Sequence, residues 1–121
     1  MKINIRTIEH KDQRYPTSGD WQFKNPGELT IDVSQLKDDR YSILVAFHEL
    51  VEALLCDFTG VSSEVVDKWD IEHPELDEPG DSEEAPYYQQ HKIALMFEQN
   101  LAQYLVVDWD EYEKALSDLY E

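Results

Sequence analysis

An α+β fold follows from how hydrophobic periodicity changes along these 121 residues. Across residues 2–35 apolar side chains alternate with polar ones, the period of a strand. From about residue 40 they recur every three or four positions, the period of a helix. Proline and glycine fall between the periodic runs rather than inside them, and no repeat or linker divides the chain. The expectation is a single domain, residues 1–121, with short N-terminal antiparallel strands packed on a helical C-terminal part.

Taken in order, residues 2–8 set Ile3 and Ile5 against polar neighbours and read as a half-buried strand. The stretch 15–20 is turn chemistry. Residues 21–24 and 28–33 read as two strands about the tight turn Asn25-Pro26-Gly27, with Leu29, Ile31 and Val33 on one face. Asp38 or Asp39 can cap a helix over about 40–58 that Gly60 ends. Ser62 or Ser63 starts a short helix to about Trp69. Residues 70–85 are acidic and carry Pro74, Pro79 and Gly80, so they read as a loop. Pro86 opens a second long helix over about 86–105, and Asp108 or Asp110 caps a last amphipathic helix over about 110–119.

Ten basic against twenty-seven acidic residues leave a net charge of −17. That field repels phosphate backbones and anionic bilayers, so direct nucleic-acid or membrane binding is not expected. It attracts cations, although an acidic surface also serves solubility alone. The one cysteine, Cys56, forms no internal disulfide and sits in an apolar run as a core thiol. With no signal-peptide stretch and no membrane-length apolar run, a cytoplasmic location is expected.

Chemistry concentrates in His48-Glu49-Leu50-Val51-Glu52, inside an otherwise apolar helix. His48 and Glu52, four apart, share one helix face and can reach one ion. Buried polar groups need partners, and a metal satisfies both at once. His91, in the second long helix, completes a His/Glu/His set with an open position for water. Glu49, one residue beyond His48, is placed to act as general base on that water. Glu98 lies seven residues after His91 on the same face, so it can orient a ligand imidazole or ligate directly. Zinc suits this set, and the carboxylate makes manganese or magnesium competitive. His73, in the acidic loop, can fold over the site but reads more simply as loop, and His10 has no role. The carboxylates of 77–81 lack calcium-loop spacing and read as a lid or charged loop. Tyr87 and Tyr88 can donate to a developing oxyanion, although packing is the simpler reading.

The segments Gly19-Asp20-Trp21, residues 47–56, Glu78-Pro79-Gly80-Asp81, Ala85-Pro86-Tyr87 with His91, and Val107-Asp108-Trp109 resemble a family of small proteins encoded by bacteriophages and prophages. That resemblance covers most of the chain and implies no particular activity. More distantly, the strand-then-helix order is similar to minimal zincins, in which an edge strand beside the cleft binds peptide by backbone hydrogen bonds. The strand over 28–33 would be that edge. Glu52 stands where those enzymes carry a second histidine. The likeness to zincins implies a metallopeptidase-like hydrolase acting on a peptide or protein, and the likeness to the phage family a bacterial host's cytoplasm. Two other classes remain. One is a non-catalytic acidic protein that mimics DNA, which needs carboxylates spread over a surface. The other is an all-helical nucleotide pyrophosphohydrolase in which Glu49 and Glu52 hold Mg²⁺, which the strand signals oppose.

Overall fold

The computed structural model describes residues 1–120 and has the expected α+β class. Three strands, β1 (Lys2–Ile8), β2 (Gly19–Asn25) and β3 (Glu28–Ser34), form one sheet in the order β1-β3-β2. β2 and β3 make the expected hairpin, with Gly27 at φ 77° supplying the left-handed residue its turn requires.

β1 pairs with β3 in parallel, so the sheet is mixed rather than antiparallel throughout. The segment after Ile8 carries the chain past β3 before the hairpin begins, leaving β1 and β2 on opposite sides of β3. Residues 28–34 are therefore the central strand, not the peptide-binding edge expected from sequence. Leu29, Ile31 and Val33 are at most 1% exposed. Ile3 and Ile5 remain 43% and 48% exposed, because α1 lies across β2 and β3 and β1 is the outer strand.

Four helices follow: α1 (Asp39–Thr59), α2 (Ser63–Glu72), α3 (Tyr88–Tyr104) and α4 (Trp109–Asp118). The carboxylates of Asp38 and Asp108 and the hydroxyl of Ser62 each accept a backbone N–H in the first turn of α1, α4 and α2. Gly60 ends α1 at φ 79°. Pro86 falls in the turn before α3 rather than inside it, since Tyr88 N–H donates to Ala85 C=O.

α1 and α3 pack antiparallel. Gln90 Nε2 donates to Thr59 Oγ1 at one end (2.9 Å), and Arg40 donates to the carbonyls of Leu105 and Val106 at the other. This pairing carries His48 and Glu52 to the same level as His91 and Glu98. Leu44, Val45, Ala53 and Cys56 turn the rest of α1 into the core. Residues 73–87 cap the start of α3 through one 3₁₀ turn, Pro79–Asp81. Among the described residues no helix is long and apolar enough to cross a membrane.

Candidate metal centre

His48, Glu52 and His91, the three ligands expected from sequence, converge on one point. His48 Nε2 lies 3.1 Å from Glu52 Oε2 and 3.2 Å from His91 Nδ1, and the third edge, His91 Nδ1 to Glu52 Oε2, is 2.9 Å. A tetrahedron with ~2.0 Å bonds has edges of about 3.3 Å, close to this triangle.

Each ligand is held from behind. Glu98 Oε1 meets His48 Nδ1 at 2.6 Å, and Asp81 Oδ1 meets His91 Nε2 at 3.0 Å. Trp21 Nε1 donates to the outer oxygen of Glu52 at 2.9 Å. Glu98 is steadied in turn by the Tyr112 hydroxyl, which donates to Oε2 at 2.6 Å from a fully buried position in α4.

These partners assign the tautomers. Ionised Glu98 and Asp81 can only accept, so His48 Nδ1 and His91 Nε2 are the donors. The inner nitrogens of the neutral rings then aim lone pairs at each other and at Glu52 Oε2. Three acceptors this close repel unless something positive sits among them. Protons can fill that place: burial alone would lower the His48 pKa, but Glu52 and Glu98 hold it well above the usual 6.5. Burial likewise opposes the charge of Glu52, yet its two imidazole partners bring its carboxyl down to about 2. A divalent cation satisfies the same three donors together, and the donor set fits one.

Glu49 lies on the other side of Glu52. It is 8% exposed, and its carboxylate has no hydrogen-bond partner among the described residues. It lines a cavity of about 20 Å³, room for one water, with Gly19, Trp21, Glu52 and Asp70 among the other walls. Burial, reinforced by the charge of Glu52, pushes the Glu49 carboxyl well above its ordinary value. Asp70 closes the same cavity and accepts from the hydroxyls of Tyr87 and Tyr15. Burial raises its carboxyl to about 6 against those two bonds. β2 is the edge strand beside this cavity, and α2 covers part of it through Ser63 Oγ, which accepts from Phe23 N–H.

The structure decides between the readings left open for the remaining candidates. Tyr87 is 3% exposed and spends its hydroxyl on Asp70, so it packs rather than facing a substrate, and Tyr88 lies under Lys92. His73 stacks on Trp69 with ring centroids 3.7 Å apart and bonds the Trp69 carbonyl, away from the centre. His10 meets Ser34 Oγ. Glu98, expected to bond the imidazole of a candidate ligand or to ligate directly, meets that of His48.

Trp21, Asp81 and Tyr112 carry no signal of their own for such roles in the sequence. Asp81 is reachable by reasoning only once Gly80 is seen to lie flat against His91, where an added Cβ would come within 2.6 Å of the ring. Fold and site together define an α+β protein with a buried His/Glu/His tripod whose three side chains are each oriented by a separate element. No known protein family, curated protein or solved structure matches the chain.

Proposed function

We propose that this protein is a divalent-metal-dependent hydrolase, with His48 Nε2, Glu52 Oε2 and His91 Nδ1 as the ligands and a peptide bond beside β2 as the substrate. Zinc is the ion that the tripod suits best, with manganese or magnesium as competitors for the carboxylate. When bound, the ion supplies Lewis acidity, polarising a carbonyl and making a water acidic. The single observation that carries this reading is the triangle of three mutually facing acceptors, 2.9–3.2 Å on a side.

The remaining chemistry belongs to the chain. Glu98 and Asp81 keep the imidazole lone pairs aimed inward. Glu49, at its unpartnered carboxylate, would take the proton of a water in the adjoining cavity as that water's oxygen adds to the peptide carbonyl, and return it to the amine nitrogen as the C–N bond breaks. Trp21 Nε1 keeps Glu52 from rotating its free oxygen into that cavity. The phage-encoded origin, and action in a bacterial host's cytoplasm, belong to this proposal and rest on the sequence segments above.

A second reading is favoured by how closely the centre is covered: a metal protein without turnover, in which the ion only ties α1 to α3. The hollow beside Glu49 holds about 20 Å³, the space of one water. The DNA-mimic reading has less support, because the carboxylates nearest the centre face inward. The chain's three-stranded sheet is not the all-helical frame of a nucleotide pyrophosphohydrolase.

One experiment separates these. Protein purified without added metal is assayed for bound metals and for cleavage of a peptide library. Near-stoichiometric zinc with cleavage is expected. Glu49→Gln should keep the metal and lose turnover by about 10²–10⁴-fold, and His48→Ala should lose the metal. Metal without cleavage in the parent chain selects the structural reading, and metal-free parent protein overturns both.

A further inference from the structure

Beyond the metal centre, the outward side of the α1–α3 pair forms an apolar ledge. Ile43, Phe47 and Phe58 recur on one stripe of α1. Phe97 and Tyr104, seven residues apart, stand on the adjoining stripe of α3, with Met96 about a quarter-turn round at its outer border, and Phe47 stacks on Phe97 with centroids 6.3 Å apart. Because the helices are antiparallel, Ile43 lies at the Tyr104 end, and the two stripes run alongside one another. Phe58 is 89% exposed, Tyr104 83% and Met96 62%, so none of the described residues covers them.

The ledge also departs from the rest of the surface in charge. The chain carries twenty-seven acidic residues, yet α3 contains only one, Glu98, and that one is turned into the metal centre. On α1 between Ile43 and Phe58, Glu49 and Glu52 are buried as well, leaving Asp57 at the rim.

We infer that this ledge is the surface on which a second copy of the chain docks, α1 and α3 of each protomer facing those of the other. Two arguments select that occupant. At roughly 150–250 Å² per aromatic side chain, the exposed part of the ledge is on the order of the ~800 Å² per partner of a standard interface. That exceeds the ~300–600 Å² of the largest patch on an ordinary monomer. Charge supplies the second argument. Two chains of −17 repel over most of their surfaces, and this acid-poor face lets them meet without opposing carboxylates. An anionic bilayer has no such way to avoid the remaining field. A two-fold axis through the ledge makes the contact self-complementary and closed.

Sedimentation velocity on the full chain over a micromolar concentration series tests this. Twice the chain mass is expected, with association tightening as salt screens the repulsion. Met96→Glu and Phe58→Glu, both at exposed positions, should each weaken association at least about tenfold while circular dichroism is unchanged. A monomer throughout the series at physiological salt overturns the inference, including where the monomer captures a basic protein on this face. A dimer indifferent to both substitutions overturns it as well.

Discussion

Glu49 and Glu52 sit three residues apart on α1, both buried, and their carboxyls are driven in opposite directions. Glu52 is held down to about 2 and Glu49 is pushed well above its ordinary value. Burial penalises the charge of each, so burial cannot be the difference. Partners are: Glu52 meets two imidazoles and an indole N–H, and Glu49 meets none. One helical turn thus carries an ion-paired carboxylate on the side of α3 and an unpaired, buried carboxyl on the side of β2 and α2.

A glycine marks each side of that division and offers its largest test. A Cβ at Gly80 would come within 2.6 Å of His91, and one at Gly19 within 2.6 Å of Glu49. Gly80→Ala should displace a ligand and cost at least about a hundredfold in metal affinity, more than losing an outer partner does. Gly19→Ala should leave metal affinity nearly intact and destabilise the fold by about 1–3 kcal/mol through overpacking. Competition with a chromophoric chelator, paired with urea unfolding, reads both. Equal effects on metal affinity would dissolve the distinction between the two sides.

Tyr112→Phe removes one hydroxyl that touches no ligand. It should lower metal affinity by about 10–100-fold and alter the visible spectrum of the cobalt-substituted protein, because Glu98 loses the bond that fixes it against His48. An unchanged cobalt spectrum would show that α4 only packs.

The smallest effect is the pH dependence of the metal-free chain. Glu52, lowered from 4.5 to about 2, contributes stability that is present above pH 4.5 and lost as pH falls through about 2. Asp70, raised from 3.8 to about 6, contributes in the other sense: its stability is present below 3.8 and lost as pH rises through about 6. Glu49, raised above 4.5, extends that decline further. Metal-free stability should therefore peak near pH 4 and fall toward neutrality. Glu49→Gln should make the upper arm shallower, leaving the share of Asp70, and keep the lower one, as measured by urea unfolding across pH.

The pairing of His48 with Glu52 was legible because helical spacing is a local rule. Four residues return to one face whatever the tertiary fold, so His48 and Glu52 could be paired on paper. The α+β class was legible for the same reason, since periods of two and of 3.6 belong to segments. Strand direction was not, because nothing within residues 2–8 states on which side of β3, or which way round, that segment pairs.

By itself, then, the sequence determined the strands, the helices and their caps, the polar turn of α1 and the identity of three candidate ligands. Packing alone decided that His48 pairs with Glu98, that Asp81 reaches His91 from the capping segment, and that Trp21 and Tyr112 brace the centre from a strand and the last helix. Those contacts join residues from 10 to 50 positions apart. Over such separations no local periodicity relates one side chain to another; the antiparallel seating of α1 against α3 joins His48 to Glu98, and the packing of β2, the capping segment and α4 around that pair supplies the rest.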